Sequence, residues 1–522
     1  MKTFRKPVLA ALCLLLWGGA LSAQPRLVVG IVVDQMRWDY LRRYAPRYTE
    51  GGFRRMMREG YENTQCHINY LPSITAVGHA ALYTGTVPAY TGITGNSFWL
   101  NGRRTYCVAD STVEGLGSTS AGARMSPRNL LPTTMTDQLR LATNFQGKSI
   151  GIALKDRAAI LPAGHAANAA YWMVDNRFVS STYYMKELPQ WVVDFNARNL
   201  PDQYMQRGWP EKLMYPDHTY TQSHPRDPRI EHSVGDRIST TPWGATYTLE
   251  MARAAIEGEQ LGQDETVDFL AVSISSTDAI AHRTGCNSPF IEDAYLWLDR
   301  DLEQFFRYLD KQVGKGRWTA FLSADHAGQH APQFRADHRL PAPVVEVGRL
   351  KPALDSLLAV RIGQPGPYVL GISSWRVALD EAALDRAGLP LGEAISLLCA
   401  ELERHPLITH AFDPRNIPSH LPAPLPEMVR NGYHPKRSGH IQLIPEPGVM
   451  EPYRYGEGQN MKGASHALWT PDDTHLPCLF MGWGVPRGVR DTRPARIVDI
   501  AATVCSLLGI QSPNACVGQP LF

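Results

Sequence analysis

Short apolar, β-branched runs alternating with helical stretches constrain the fold of this chain more than any other feature of its sequence. Leu27 to Asp34, Ser149 to Lys155, Val267 to Ile274, Trp318 to Ala324 and Leu476 to Met481 each read as buried parallel strands. Apolar runs of this length without alternation suit a sheet covered on both faces. Between them, Ala76 to Tyr83, Thr133 to Ala142, Ala245 to Ile256 and Ile291 to Tyr308 read as helices. The alternation predicts an α/β protein with a central, mostly parallel sheet flanked by helices. In such sheets functional groups gather beyond the carboxyl ends of the strands.

Two stretches fit this pattern poorly, about 161–241 and about 333–462, both rich in Pro, Tyr, Trp and polar residues. We expect insertions there that cover the active edge of the sheet. The second holds strand-like and helix-like pieces, including Glu381 to Arg386 and Leu391 to Glu403. No internal repeat, low-complexity tract or flexible linker divides the chain. Its 522 residues suffice for one large enzyme domain with insertions or for two domains. Lys plus Arg (52) nearly balances Asp plus Glu (50), so no charge excess points to nucleic acid or an anionic membrane as a structural partner.

At the N-terminus Lys2, Arg5 and Lys6 precede an apolar run from Val8 to Leu21, and small residues follow up to Ala23. This is the pattern of a secretory signal, residues 1–23, cleaved after Ala23. The run falls short of the roughly 20 residues of a membrane span. Leu12 precedes Cys13, where a lipid-attachment site would want a small residue. The expected product, residues 24–522, is exported, periplasmic or secreted, with no stable membrane anchor. It retains seven cysteines, Cys66, Cys107, Cys286, Cys399, Cys478, Cys505 and Cys516, with no CxxC spacing, which argues against thiolate metal ligation. Disulfides are compatible with export, and Cys505 and Cys516 are the pair nearest in sequence, but the sequence leaves the pairing open.

Several residues at the expected strand ends carry chemistry. Asp34 closes the first strand, although a lone acid there serves equally as a cap. In NYLPSITAVGHAALYTG, Thr75 falls in the first turn of a helix, where the helix dipole and a nearby divalent cation would acidify a hydroxyl. Ser73 is the competing nucleophile and His79 a competing ligand one turn on. After VDFLAVSIS come Asp278 and His282, four residues apart and on one face if the backbone turns helical. After TAFLSA come Asp325 and His326, which can serve one metal only where the strand breaks, a break that Gly328 supports. Two such pairs, each directly after a hydrophobic strand, make a stronger signal than either alone. His466 would complete a set of imidazoles and carboxylates suited to zinc, with His475 as its competitor. Lys155 and Arg157, read as strand positions i and i+2, would project together toward an anion while Asp156 points away. Asn96, on a Gly-punctuated turn, would donate to a non-bridging oxygen.

In this order Asp34, Thr75, Asn96, Lys155, Arg157, Asp278, His282, Asp325, His326 and His466 resemble the alkaline phosphatase superfamily, above all the bacterial phosphate-irrepressible alkaline phosphatases with a threonine nucleophile. The resemblance runs from about Leu27 to the C-terminal DIAATVCSLLGI segment. It implies an alkaline-phosphatase-like catalytic domain and two Zn2+ per chain. Asp278, His282 and His466 would hold one ion; Asp34, Asp325 and His326 would hold the other, to which Thr75 is joined. Asn96, Lys155 and Arg157 would bind the phosphoryl oxygens. One departure is Ala467, where similar enzymes often carry Gly directly after the histidine.

The implied activity is hydrolysis of small-molecule phosphate monoesters through a phosphothreonine intermediate, for phosphate scavenging; a monomer is expected, although the sequence does not fix the oligomeric state. A monoester dianion offers Lys155 and Arg157 a third unesterified oxygen, which a diester replaces with a bulky group. A phosphodiesterase of the same superfamily is the alternative enzyme, and an exported binding protein for phosphate or a phosphorylated nutrient the alternative from another class. The chain lacks the C/S-x-P-x-R context that sulfatases resemble, and has no GxSxG elbow, HExxH helix or phosphate-cradling P-loop.

Overall fold

The computed structural model describes residues 24–209, 237–451, 461 and 463–522. The expected signal, residues 1–23, lies outside the described residues, as do parts of both expected insertions, 210–236 and 452–460 with 462. An eleven-stranded sheet runs through the molecule. We label nine of its strands β1 (Leu27–Val33), β2 (Tyr61–His67), β3 (Ser149–Ala153), β4 (Ala169–Val174), β5 (Arg177–Ser181), β6 (Asp268–Ile274), β7 (Trp318–Ser323), β8 (His475–Gly482) and β9 (Val489–Asp491). Across the sheet they lie in the order β9-β2-β8-β7-β1-β6-β3-β4-β5, with Gly115–Leu116 beyond β5 and Ala495–Arg496 beside β2.

The five strands from β7 to β4 are mutually parallel, in a register that pairs Leu27 with both Trp318 and Asp268. Every residue of β1, β6 and β7 is buried, which is why these runs lack alternation. One expectation is corrected: β8, read from sequence as another parallel strand, runs antiparallel to β7. The chain leaves β7 at Ser323 and, after a long excursion, re-enters at His475 on the same edge, so it must run back. A strand covered on both faces carries no mark of its direction.

Helices pack on the sheet and bring their N-termini to its carboxyl edge. Those that matter here are α1 (Thr75–Thr84), α2 (Asp156–Ala163), α3 (Ser276–Thr284) and α4 (Pro289–Leu309). All ten residues of α1 are buried, and it ends on Gly85 in the left-handed region, φ +65°, whose N–H bonds the Ala81 carbonyl. Inside α1, a Cβ on Gly78 would stand 2.0 Å from the Asp325 carbonyl oxygen, so only glycine lets the helix pass the turn after β7.

Of the first stretch set apart in the sequence, Ala169–Val174 and Arg177–Ser181 are β4 and β5 of the main sheet. The second carries a separate four-stranded sheet, in the order Val369–Ser373, Arg376–Leu379, Ile441–Pro445 and Ile408–Phe412. This sheet and the helices Lys351–Ile362 and Leu391–Leu402 share a core that includes Leu358, Val377, Leu398 and Leu443. Buried Arg376 ties it to the rest, donating to the carbonyls of Leu71, Thr94 and Gly432 and to Gln442 Oε1. The seven cysteines from Cys66 to Cys516 are free thiols. Among the described residues no helix is long and apolar enough to cross a membrane.

Candidate active site

Two groups of potential ligands meet beyond the carboxyl ends of β1, β6 and β7: Asp278, His282 and His466 in one, Asp34, Asp325 and His326 in the other. In each, ligand atoms lie within 4.8 Å of one another. Asp278 and His282 sit a turn apart on α3, whose first residues follow β6 directly. Their facing atoms, His282 Nε2 and Asp278 Oδ1, are 3.1 Å apart, and His466 Nε2 is 3.7 Å from the same oxygen. In the second group His326 Nε2 is 3.5 Å from Asp34 Oδ1 and 3.6 Å from Asp325 Oδ2. Four ligands at about 2.0–2.1 Å around a tetrahedral zinc stand about 3.3 Å from each other, so both groups have the spacing of ligand-shell edges.

The three imidazoles are oriented alike. Nδ1 of His282 bonds the Ala464 carbonyl at 2.8 Å, that of His326 the Ala327 carbonyl at 2.9 Å, and that of His466 the Ser73 carbonyl at 2.9 Å. A carbonyl only accepts, so each Nδ1 carries the proton and each Nε2 presents a lone pair to the site. Burial pushes the pKa of His326 and His466 down, which keeps both rings neutral.

The carboxylates divide their oxygens in the same way. Lys155 Nζ donates to Asp34 Oδ2 and to Asp278 Oδ2, both at 2.6 Å, and thereby stands between the two groups. Asp325 Oδ1 accepts from the backbone N–H of Gln35 and of His326. The remaining oxygens, Asp34 Oδ1, Asp278 Oδ1 and Asp325 Oδ2, are buried and make no hydrogen bond. A buried carboxylate oxygen without a donor is costly. Three of them opposite imidazole lone pairs fit a cation in each group, although His79 Nδ1 also lies 3.4 Å from Asp325 Oδ2. Burial and the charges of Asp278 and Asp325 raise the Asp34 pKa well above the usual carboxylate range. Burial would raise Asp278 as well, but the Lys155 ammonium that donates to its Oδ2 helps hold it well below that range. Burial likewise opposes the charge on Lys155, which Asp278 and Asp34 outweigh, raising its pKa.

Thr75 begins α1 and is buried, with its Oγ1 3.5 Å from His326 Nε2, the same spacing as the other edges of that group. Its sequence competitors have other partners. Ser73 Oγ donates to the Leu468 carbonyl at 2.7 Å. His79 uses both nitrogens, Nδ1 on the Thr75 carbonyl and Nε2 on Ser273 Oγ, at 2.9 Å each. His475 lies outside both groups: its Nε2 bonds the Thr64 carbonyl and its ring stacks on Trp38 and His67. Ala467, beside His466, has φ +98°, a conformation that favours glycine.

The anion-binding candidates come from two further segments. Asn96 Oδ1 accepts the Ala76 N–H at the start of α1 at 3.0 Å, which leaves its Nδ2 without a protein partner among the described residues. The strand geometry expected for Lys155 and Arg157 is corrected. β3 ends at Ala153, Lys155 precedes α2 in extended conformation, and Arg157 lies in the first turn of α2. Helix dipole and side chain there act together on an anion. Arg157 Nη1 bonds the Tyr106 hydroxyl at 3.1 Å, and its Nε is buried without a partner. Sequence reasoning missed Tyr106, which no local pattern marks, and Gly78, whose place inside a helical pattern was the available signal.

A family model described as type I phosphodiesterase / nucleotide pyrophosphatase matches residues 28–469. The chain is 42% identical to alkaline phosphatase PafA of Elizabethkingia meningoseptica, over 95% of this chain and 94% of that protein. A crystal structure of wild-type alkaline phosphatase PafA superposes with a TM-score of 0.89 at 42% identity, covering 95% and 98% of the two chains. The chain is also 41% identical to a Myroides odoratus protein named calcium-transporting ATPase, over 99% of this chain and 98% of that one. Alkaline phosphatase PhoV of Synechococcus elongatus is 41% identical, over 95% and 92%.

Proposed function

Because this chain belongs to the type I phosphodiesterase / nucleotide pyrophosphatase family and matches alkaline phosphatases over nearly its whole length, we propose that it is an alkaline phosphatase that hydrolyses phosphate monoesters with Thr75 as covalent nucleophile. The observation that carries this reading is the Thr75 hydroxyl at the head of a buried helix, 3.5 Å from His326 Nε2 at the edge of a donor set with three orphaned carboxylate oxygens.

The donor set, three imidazole nitrogens and three carboxylates without sulfur, suits zinc. Asp278, His282 and His466 would hold one ion; Asp34, Asp325 and His326 would hold a second, with Thr75 beside it. Bound there, the ions supply Lewis acidity that lowers the pKa of the threonine hydroxyl and stabilises charge on the leaving oxygen.

Thr75 Oγ attacks phosphorus in line with the ester oxygen; the Oγ–P bond forms, the P–O bond to the alcohol breaks, and a phosphothreonine results. Water then attacks from the vacated side, breaks the Oγ–P bond, restores the threonine and releases phosphate. Asn96 Nδ2, Lys155 and Arg157 receive the non-bridging oxygens, where positioned charge provides most of the catalysis. Lys155 is held on two carboxylates, so a dianionic phosphoryl group competes with them for its ammonium. Two cations for the equatorial oxygens favour a monoester, with three unesterified oxygens, over a diester. The N-terminal sequence supports export, and with it a role in phosphate scavenging outside the cytoplasm.

Turnover of a chromogenic phosphomonoester by zinc-replete protein tests the reading. We expect Thr75→Ala to lose on the order of a thousandfold or more in kcat, with zinc retained. A Thr75→Ala variant as active as the parent sinks the nucleophile assignment. A parent that binds phosphate without turnover identifies a binding protein, and a higher kcat/KM for a matched diester identifies a phosphodiesterase.

A further inference from the structure

Arg157 faces a demand that its own helix cannot meet. A guanidinium binds a phosphoryl group best through the paired N–H groups of Nε and Nη2, which requires one fixed rotamer of a long side chain. Arg157 has that edge open: Nε is buried without a partner, and the hydrogen bond of the guanidinium goes through Nη1 to the Tyr106 hydroxyl at 3.1 Å. The same hydroxyl donates to Asp156 Oδ1 at 2.6 Å, and that oxygen also accepts the Arg157 backbone N–H at 2.6 Å. Tyr106, Asp156 and Arg157 thus close a ring of three hydrogen bonds that leaves the Arg157 Nε outside it, buried and without a partner.

The ring connects to the other phosphoryl-binding candidates. Tyr106 ends a hairpin, Ser97–Leu100 paired with Arg103–Tyr106, whose first residue follows Asn96. Ser97 pairs with Tyr106, and the Cys107 N–H bonds the Asn96 carbonyl at 3.0 Å. Asn96 in turn holds the Ala76 N–H beside Thr75. The base of this hairpin therefore joins three segments that are distant in sequence: the head of α1, the Asn96 turn and the head of α2.

We infer that Tyr106, oriented by Asp156, is a positioning residue that fixes the Arg157 guanidinium for the phosphoryl oxygens and so sets the preference for monoesters over diesters. The inference rests on Arg157 binding the phosphoryl group, as proposed above. The Tyr106 hydroxyl is engaged by Arg157 and Asp156, so its part in the reaction runs through Arg157. Removing the hydroxyl leaves ring packing in place and leaves Nη1 with only the longer ion pair to Asp156 Oδ1, at 3.8 Å, so the cost falls on the oxygen that only a monoester presents.

The test is a double-mutant cycle of Tyr106→Phe and Arg157→Ala, with kcat/KM for a monoester and a matched diester and with inhibition by inorganic phosphate. Hydrogen bonds to charged groups set the scale: Tyr106→Phe lowers the monoester-to-diester ratio about tenfold and weakens phosphate inhibition about as much. In the Arg157→Ala background the same change moves the ratio less than about twofold, because the group it positions is gone. If Arg157→Ala shifts the ratio and Tyr106→Phe does not, or if Tyr106→Phe lowers both substrates equally, the positioning role is overturned. If Arg157→Ala itself leaves the ratio unchanged, the assignment of Arg157 to the phosphoryl group fails, and the inference with it. Asp156→Ala, which removes the other partner of the hydroxyl, runs the same cycle should Tyr106→Phe not fold.

Discussion

Gly78→Ala isolates the contact that seats Thr75, the proposed nucleophile. The added Cβ would lie 2.0 Å from the Asp325 carbonyl oxygen, 2.6 Å from its carbonyl carbon and 2.8 Å from its Cα, against about 3.4 Å for ordinary contact. All three are backbone atoms, so no side chain can rotate away, and helix and turn must part by about 1.4 Å. Two effects oppose each other in stability. Alanine is the better helix former by about 1 kcal/mol, whereas overpacking of this kind costs about 1–3 kcal/mol. The net loss is about 0–2 kcal/mol, small enough for a folded protein. Catalysis has no such compensation, because Asp325 and His326 leave that same turn while Thr75 heads the helix that moves. A 1 Å misplacement costs on the order of a hundredfold in rate. We therefore expect kcat/KM for a phosphomonoester to fall about a hundredfold, with the urea midpoint lowered slightly and no change in unfolding slope. A variant within about threefold of the parent would show that the closeness of α1 to the Asp325 turn does not position Thr75.

Four further outcomes follow from the same geometry. His466→Ala should lose one bound zinc and most activity, whereas His475→Ala should keep both ions, since its ring is engaged by Thr64, Trp38 and His67; metal analysis of the two variants separates them. Stripping the ions with a chelator should lower the apparent melting temperature, with recovery on added zinc, because binding to the folded state alone stabilises by mass action and the orphaned carboxylate oxygens regain a partner. Ala467→Gly removes a left-handed strain of about 1–2 kcal/mol at a cost of about 0.5–1 kcal/mol in unfolded-state freedom, so denaturant titration should show a gain of about 0.5–1 kcal/mol. Burial pushes the Asp473 carboxyl up to about 8. A folded pKa above the unfolded one gives stability that is complete below the ordinary carboxylate value of 3.8 and is lost as pH rises toward about 8. Asp473→Asn should flatten that decline in melting temperature between pH 5 and 8, and an unchanged slope would show that Asp473 ionises freely in the folded protein.

The two clusters of candidate ligands could be picked out because their signals are short in sequence. Asp278 and His282 are a helical turn apart, Asp325 and His326 are adjacent, and Asp34 follows its strand directly, so local periodicity already placed each pair at a strand end. What sequence hid depends on direction and on distant partners. β8 shows the same buried run whether parallel or antiparallel. Lys155 and Arg157 read as strand positions only because the strand was carried past Ala153, although α2 starts at Asp156. Tyr106 meets Asp156 across 50 residues, and no pattern within either segment announces the pairing. The glycine that similar enzymes carry after the histidine gains a physical reason here, since the backbone at Ala467 occupies positive φ.

One rule organises the site: each candidate ligand side chain is held by one of its polar atoms and offers the other. Nδ1 of the three histidines is held by a carbonyl, Oδ1 of Asp325 by two backbone N–H groups, and Oδ2 of Asp34 and Asp278 by Lys155. Holding by backbone fixes a ligand permanently, whereas holding by a lysine is exchangeable. The imidazoles and Asp325 therefore form the rigid part, and Asp34 and Asp278 share a cation that an incoming phosphoryl dianion can draw upon. On the proposed reading Lys155 couples substrate charge to ligand charge, so its loss should disturb metal retention as well as phosphate affinity, whereas loss of Arg157, which bonds no candidate ligand carboxylate, should disturb phosphate affinity alone.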